Sequence, residues 1–253
     1  MTGMRMATPL MALREGYSEA AVGVLLAMFA LTQVFLALPA GRFVDRHGLR
    51  KPVLISVLGG SSGAVLAAVL PIFPVLCLSA LLTGGATGVA IIALQRHVGR
   101  MTHDQTELRQ AFSWLAIGPA FSNFIGPLMC GFMIDHAGFQ AAYALMGLLP
   151  WVAWVWIRRV HELPAVVLPA KKPRAWDLLR EPMFRRLLLV NWFLSACWDV
   201  HTFVVPILGH ERGLSASVIG AILGGFAMAA TVIRLTLPWV LSLIHISEPT
   251  RPE

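Results

Sequence analysis

The segment Gly41-Arg-Phe-Val-Asp-Arg-His-Gly-Leu-Arg-Lys51 is a short basic turn between two long apolar runs. No Asp, Glu, Lys or Arg occurs in the 22 residues from Ala20 to Gly41, and none occurs in the 44 residues from Pro52 to Gln95. A helix needs about 20 apolar residues to cross the hydrocarbon of a bilayer. The segment therefore predicts a loop between membrane-spanning helices.

The composition of the whole chain also favours a membrane protein. Of its 253 residues, 57% are hydrophobic and 13% are charged, and the mean hydropathy is +0.72. Soluble domains carry about 25% charged residues. The net charge of +7 would suit nucleic-acid binding in a soluble protein, but here the basic residues are concentrated in particular loops. That distribution points to the lipid bilayer as the partner and argues against nucleic acid.

Charges and prolines divide the chain into eight predicted spans, all of them helical. The 44-residue uncharged run is too long for one crossing, and Pro71 and Pro74 mark the bend within it. Residues 1–160 would form a first transmembrane half with six spans, 161–186 a cytoplasmic basic linker, and 187–240 the first two spans of a second half. Spans two to eight are assigned to 20–41, 52–95 (spans three and four), 110–134, 137–157, 187–209 and 213–233.

The loops alternate in charge, which predicts their side of the membrane. Segment 42–51 holds four basic residues against one acidic, 96–109 three against two, and 158–186 eight against three. In contrast, positions 71–74 carry no charge, and positions 135–136 contain no Lys or Arg. Lys and Arg accumulate in cytoplasmic loops. The sequence therefore predicts a multi-pass protein of the cytoplasmic (inner) membrane.

The chain matches itself when it is shifted by 197 residues. Parallel repeats of this kind occur in secondary transporters. Span seven begins near Leu187, so its counterpart would begin about ten residues before Met1, and we expect the chain to start inside its first span. The seven identities within 22 positions are Pro9/Pro206, Gly16/Gly213, Ser18/Ser215, Gly23/Gly220, Leu26/Leu223, Phe29/Phe226 and Ala30/Ala227.

The last segment, residues 241–253, breaks this pattern. By the repeat, a counterpart of segment 41–51 should begin near Pro238, and the sequence contains none there. The segment resembles translated sequencing-adapter read-through, and an ordinary short polar C-terminus is the alternative. We predict a non-native tail and leave it out of the fold prediction.

Segment 41–51 resembles the loop between spans two and three of the major facilitator superfamily, whose signature reads G-x-L-A-D-R-x-G-R-R/K. The resemblance implies an all-α bundle of twelve helices, of which residues 1–240 cover spans one to eight. It also implies that the segment latches the two halves together on the cytoplasmic side; a solvated turn that only sets topology is the alternative. The positions that match this gating motif are Gly41, Asp45, Arg46, Gly48 and Arg50.

Three residues of this motif have an expected local role. Gly41 would let span two approach a neighbouring helix closely, and Gly48 would allow a tight reversal of the chain. Asp45 would accept hydrogen bonds from a helix N-terminus or pair with cytoplasmic arginines.

The fifth span is similar to the glycine–proline motif of span five in the drug–proton antiporter branch of that superfamily. Proline bends a helix, and small residues permit close packing. The match departs from the motif at Cys130, and span four lacks the arginine that many of these antiporters carry, so a standard proton relay is in doubt. The predicted packing and bend positions are Gly126, Pro127, Gly220 and Gly224.

Span seven offers the best candidates for a substrate or ion pathway. Asn191, Ser195, Asp199 and Thr202 fall on one face of a helix. An ionisable residue inside a span usually faces a cavity and functions there. The alternative places Asp199 at the outer interface. His201 lies two positions from Asp199, so we expect it to face elsewhere.

The repeat brings one more charged residue to the same face. Arg5 corresponds to Thr202 under the 197-residue shift, so we expect Arg5 to recognise an anion or to pair with Asp199. The alternative, an exposed N-terminal arginine, holds only if Met1 is the true start. Polar residues in other spans are further pathway candidates, with a helix–helix hydrogen bond as the alternative for each. They are Gln33, Thr83 and Asn123.

These residues predict a secondary active transporter that moves a small organic solute by alternating access, without a cofactor, a metal or catalytic residues. Neither a phosphate-binding Gly-Lys-Ser/Thr loop nor a cluster with metal-ligand spacing occurs in the sequence. We expect drug or metabolite efflux in exchange for protons, by a protein that is monomeric when full length. Solute uptake by symport is the alternative within transport. A membrane-embedded enzyme, a scaffold and an inactive fragment are alternatives of another class.

Overall fold

The structure is a computed structural model that describes residues 2–102, 104–163 and 179–246. Across these ranges the chain forms helices and no strand, which confirms the predicted all-α class. The helices are α1 (Thr2–Arg14), α2 (Glu19–His47), α3 (Arg50–Val69), α4 (Phe73–Met101), α5 (Gln105–Ile157), α6 (Pro182–Glu211) and α7 (Ala216–Ile246).

Six helices in the described part of the chain, α2 to α7, are long and apolar enough to cross a membrane. α1 has 13 residues. At 1.5 Å per residue it is about 20 Å long, short of the roughly 30 Å of hydrocarbon. Pro71 lies between α3 and α4, where the uncharged run was predicted to bend.

The predicted fifth and sixth spans are the two arms of α5. Gly138 in its middle has φ 82° and ψ 173°, a conformation that interrupts the helix and that glycine adopts readily. A Cβ on Gly3 of α1 would lie 3.0 Å from Cys130 and 2.6 Å from Met146, which are in different arms. These two residues would be about 24 Å apart in a straight helix. The arms therefore fold back on each other at Gly138.

α1 is the most enclosed element of the bundle. Nine of its 13 residues are buried, and it contacts α2, α4, α5 and α6. A helix that is apolar on all sides is stable only when other helices surround it. Its side chains therefore form the centre of the main core cluster, together with residues of α2, α5 and α7.

The 197-residue repeat is present in the structure. Three backbone hydrogen bonds close the turn after α1, and three at the shifted positions close the turn after α6. They run from Glu15, Gly16 and Tyr17 to Met11, Leu13 and Ala12, and from Arg212, Gly213 and Leu214 to Leu208, His210 and Gly209. In each turn the glycine has positive φ, and a following serine caps the next helix, Ser18 for α2 and Ser215 for α7. The repeat therefore specifies the same local structure twice.

Small residues bring α5 and α7 into close contact. A Cβ on Gly220 would collide with the backbone oxygen of Pro127, and one on Gly224 would lie 2.8 Å from the backbone oxygen of Phe124. Gly126 lies against α1, where a Cβ would be 2.5 Å from Thr2 Oγ1. Without a hydrophobic driving force between helices in lipid, such close backbone approach is a main source of helix association.

The predicted domain boundaries fall near helix ends. α5 ends at Ile157, just before the predicted limit of the first half at residue 160, and α6 begins at Pro182, inside the predicted linker 161–186. Most of that linker, residues 164–178, lies outside the described residues. α7 continues to Ile246, past the predicted start of the tail at residue 241, and residues 247–253 lie outside the described residues.

Candidate functional site

α1, α5, α6 and α7 border a cavity of about 40 Å³. That is space for a few water-sized groups. Its wall combines one charged side chain, several polar ones and two aromatic rings besides histidine. The lining residues are Thr2, Arg5, Met6, Asn123, Pro127, Trp198, His201, Thr202, Leu223 and Phe226.

An ion pair between α1 and α6 lies at this cavity. Nη2 of Arg5 donates to Oδ1 of Asp199 at 2.9 Å. Asp199 precedes the end of α6 by 12 residues, and Arg5 precedes the end of α1 by nine, which are distances of about 18 and 14 Å along the helices. Asp199 therefore lies near the middle of the 30-residue α6. The Arg5 side chain is 30% exposed and that of Asp199 54% exposed.

Two nitrogen atoms at the cavity are buried and have no hydrogen-bond partner among the described residues. They are Nε of Arg5 and Nε2 of His201. A buried polar group without a partner is unfavourable, and such groups in proteins commonly mark functional sites. The cavity wall therefore offers two unused polar positions beside the Arg5–Asp199 pair.

The rings of α6 and α7 form one side of the cavity. The centroid of Trp198 lies 5.3 Å from that of Phe226, and the centroid of His201 lies 3.9 Å from it. The Trp198–Phe226 spacing is typical of a favourable aromatic pair, and the two rings are tilted by 49° to each other. An aromatic surface is thus held next to the charged pair.

The start of α1 is fixed against α5 on the opposite side. Thr2 Oγ1 donates to the backbone oxygen of Ser122 at 2.7 Å and lies 3.0 Å from the Ser122 hydroxyl. Asn123, a predicted pathway residue, lines the cavity next to this contact. This anchoring positions Arg5, one helical turn further along α1.

Several predicted pathway residues are not brought to the cavity. Asn191 and Ser195 are exposed on α6. Gln33 lies against Gly88 of α4. Thr83 is 1% exposed, and its hydroxyl donates to the backbone oxygen of Ser79 at 2.6 Å, so its hydrogen-bonding capacity is used within α4.

The prediction that His201 faces away from the site was wrong. On an ideal helix, residues 199 and 201 point about 200° apart, and the expectation assumed that a single face of α6 borders the site. In the structure Asp199 faces α1 while His201 packs on Phe226 of α7. The α6 residues that line the cavity are Trp198, His201 and Thr202, whereas Asp199 is linked to the cavity through Arg5. Trp198, His201 and Thr202 have i, i+3, i+4 spacing and so share one face of α6; this sequence signal would have identified His201 as a residue of the site.

A second group of charged residues lies at the predicted cytoplasmic end. Asp45 is 7% exposed and forms an ion pair with Arg96 of α4. In the structure Asp45 therefore pairs with an arginine at the predicted cytoplasmic end, which is the kind of partner expected for it. Arg46 is exposed. The Asp45–Arg96 pair joins α2 to α4 within the first half.

Glu162, which the sequence did not single out, connects this group to the segment after α5. Its Oε1 accepts from the backbone N–H of Arg50 at 3.3 Å, and its Oε2 lies 4.0 Å from Arg50 Nε. Arg50 Nη2 also donates to the backbone oxygen of Val160 at 2.9 Å. Gly48, with φ 71°, leaves room for this carboxylate, since a Cβ there would lie 2.5 Å from Glu162 Oε1.

The expected role of Gly41 in close helix packing was wrong. Among the described residues, a Cβ at this position would meet nothing within 4 Å, and Gly41 lies inside α2 rather than in the turn. The chain reversal is confined to Gly48 and Leu49, between α2 and α3. α2 thus extends through much of the predicted loop, to His47.

At the opposite end of the bundle, Asp135 links α5 to α7. Its Oδ1 accepts from the backbone N–H of Ala216 at 3.1 Å, and its Oδ2 accepts from that of Ser217 at 2.7 Å. A carboxylate at a helix N-terminus satisfies free N–H groups and the helix dipole. Because the contact joins residues 81 and 82 positions apart, no local sequence pattern predicts it.

The sequence of the chain matches the model of the Major Facilitator Superfamily over residues 1–247. The chain belongs to the Major Facilitator Superfamily. This agrees with the helical bundle, the repeat and the charged turn between α2 and α3. It is thus a multi-pass protein of the cytoplasmic membrane and a member of a family of transporters, not of enzymes.

Named relatives agree with this assignment. The chain is 32% identical over 233 residues to the tetracycline resistance protein, class E, of Escherichia coli, covering 82% of this chain and 56% of the relative. It is 24% identical over 226 residues to multidrug resistance protein D of Escherichia coli (strain K12), covering 87% and 53%. The chain spans about half the length of these curated relatives.

A solved structure shows the same fold. The crystal structure of the POT family transporter PepTSo matches with a TM-score of 0.51 at 19% identity, covering 89% of this chain and 50% of that one. At this identity the likeness concerns the fold alone.

Proposed function

We propose that the chain forms part of a transporter that exports a small organic molecule by alternating access, in exchange for protons. The observation that carries the proposal is the Arg5–Asp199 pair on facing helices beside a cavity inside the bilayer. Intramembrane ionisable residues commonly mark substrate and proton pathways. The names of the relatives, which refer to tetracycline and multidrug resistance, support export as the direction.

The pair gives a physical basis for exchange. When Asp199 is ionised, it holds the Arg5 guanidinium at the cavity wall through the 2.9 Å hydrogen bond. A proton on Asp199 removes the charge and weakens that bond, because charge-assisted hydrogen bonds are the stronger class. Arg5 is then free to move, and a molecule that depends on its position is released. Proton and substrate thus exclude each other, as an antiporter requires.

The charged cluster at the cytoplasmic end would control access. Asp45–Arg96 holds α2 to α4, and Arg50–Glu162 holds the turn after α2 to the segment after α5. We propose that this gating motif keeps the first half rigid as the halves move against each other. Two further motif residues, Gly41 and Arg46, would take part in the same movement, and so would the glycines that pack α5 against α1 and α7.

Transport into everted membrane vesicles tests the proposal. Three radiolabelled probes with one ring system and different head groups, 2-naphthoate, 2-naphthamide and 2-naphthylmethylammonium, are offered under an acid-inside proton gradient. We expect accumulation of at least one probe, and we expect Asp199→Asn to reduce it by about tenfold or more because the charge that positions Arg5 is lost. Glu211→Gln, a matched change at an exposed position of α6, should have little effect.

Two outcomes would contradict the proposal. One is accumulation of no probe above vesicles that lack the chain. The other is an Asp199→Asn variant that accumulates a probe with wild-type rate and wild-type dependence on the gradient.

Uptake by proton symport is the second candidate, and the same ion pair favours it under a different assumption. If the substrate competes with Asp199 for Arg5, a proton on Asp199 frees Arg5 and promotes binding. Proton and substrate would then bind together. The sign of the pH dependence of binding separates the two candidates.

A further inference from the structure

We propose that the cavity between α1, α5, α6 and α7 binds a flat aromatic molecule through a carbonyl or carboxylate oxygen. That oxygen would lie between Arg5 and His201, and the ring would lie against Trp198 and Phe226. This inference rests on the proposed function, because it names the class of molecule that the same site would carry.

Arg5 has a hydrogen-bond donor to spare. A guanidinium carries five N–H donors in a fixed plane, and Asp199 is held through Nη2 alone. Nε is buried and has no partner in the ranges that the structure describes. Arg5 can therefore keep its bond to Asp199 while Nε–H donates to an acceptor on a ligand.

His201 supplies the second polar contact. Its Nε2 is buried and also lacks a partner among the described side chains and backbone groups. Its ring is fixed by the contact with Phe226 at 3.9 Å. With the proton on Nε2, the imidazole donates a hydrogen bond. Arg5 and His201 both line the cavity, so we place between them an oxygen with two lone pairs, which can accept one hydrogen bond from each.

The remaining wall suits a ring. Trp198 and Phe226 lie 5.3 Å apart by their centroids and give the cavity an aromatic surface. The 40 Å³ of space holds a small head group. The rest of the molecule would extend from this space along Trp198, which lines the cavity.

The charges at the cavity decide against a cationic head group. Among the described residues that line it or pair with its lining, the titratable side chains are Arg5, Asp199 and His201. α5 and α7 contribute Asn123, Pro127, Leu223 and Phe226, which carry no charge. An ammonium group would meet the Arg5 guanidinium and leave both nitrogen atoms without a partner. An oxygen acceptor would accept a hydrogen bond from each of these two nitrogen atoms.

Binding of the three naphthalene probes to the chain in lipid nanodiscs, measured by equilibrium dialysis, tests the inference. We expect 2-naphthoate and 2-naphthamide to bind about tenfold or more tightly than 2-naphthylmethylammonium. His201→Phe keeps a ring against Phe226 and removes Nε2, so the preference for the two acceptor probes should fall by about threefold to tenfold. Arg5→Lys keeps the positive charge and removes Nε, and we expect a similar fall.

Trp198→Leu is the matched control for the ring surface. This substitution should weaken the binding of all three probes by a similar factor and leave the preference among them unchanged. A wild-type chain that binds the ammonium probe as tightly as the other two would overturn the inference, and so would an unchanged preference in both His201→Phe and Arg5→Lys.

The failure of this inference and the failure of the proposed function have different signatures. Transport that depends on Asp199 but favours the ammonium probe supports the proposed function and overturns the inference. Selective binding of acceptor probes without Asp199-dependent transport supports the inference and contradicts the proposed function.

Discussion

α1 and α6 are counterparts in the 197-residue repeat, yet one lies in the centre of the bundle and the other at its edge. Both contain an internal proline, and both end in a turn with the same hydrogen bonds. Nine residues of α1 are buried, against three of the 30 residues of α6. α1 is in contact with α2, α4, α5 and α6, whereas the main partners of α6 are α1 and α7.

The difference separates what local sequence determines from what neighbours determine. Turn closure and capping depend on residues within a few positions, so they recur wherever the motif recurs. Burial depends on how many helices of the chain surround a helix: α1 is followed by α2 to α5, whereas α7 alone follows α6 among the described residues. The Arg5–Asp199 pair reflects this: Arg5, from the enclosed helix, is the less exposed partner, and Asp199, from the edge helix, is the more exposed one.

The largest effect should come from a buried residue of α1. Leu10 is 1% exposed and belongs to the main core cluster. Leu10→Ala should lower the free energy of unfolding by about 2–4 kcal/mol because it leaves a cavity. Leu194→Ala on α6, where the side chain is 67% exposed, should change it by less than about 0.5 kcal/mol.

Unfolding of the purified variants in mixed micelles, followed by circular dichroism against denaturant concentration, measures both. Equal losses for the two substitutions would show that α1 and α6 do not differ in packing, and the comparison would fail.

A smaller effect should be shared by the two turns. Gly16 and Gly213 have φ of 82° and 66°, and a Cβ at either would meet nothing within 4 Å in the part of the chain that the structure describes. Gly16→Ala and Gly213→Ala should therefore each cost about 1–2 kcal/mol through backbone strain alone. Gly118→Ala, an open position inside a helix, is the control and should cost nothing. Costs at the two turns that differ by more than a factor of two would contradict the equivalence of the turns.

Much of the fold could be predicted from the sequence because the bilayer imposes strong rules. The uncharged runs predicted the helices, and the basic segment before Pro52 predicted the chain reversal between α2 and α3. The repeat predicted that Arg5 lies on the helix face equivalent to the one that carries Asp199. In the structure Arg5 Nη2 lies 2.9 Å from Asp199 Oδ1. These features depend on length, charge and short-range pattern, which sequence displays directly.

Other features depend on which helices become neighbours. Thr83 has the residue type of a ligand contact, but α3 and α4 enclose it. His201 faces away from Asp199 on α6 yet reaches the same cavity because α7 packs there. Gly41 has the spacing of a family motif but no close neighbour. The surroundings of each of these side chains are determined by which helices pack together, and the residue pattern of a single helix does not show which helices those are.

The most direct test of the account is the pH dependence of 2-naphthamide binding to the wild-type chain and to Asp199→Asn. This probe stays uncharged, so any pH dependence reports on the protein. We expect wild-type affinity to fall on acidification, because proton and substrate exclude each other in the proposed exchange, and we expect the Asn variant to bind weakly at every pH. Wild-type affinity that rises on acidification would contradict antiport through Asp199, and a pH dependence that persists in the Asn variant would show that another group takes the proton.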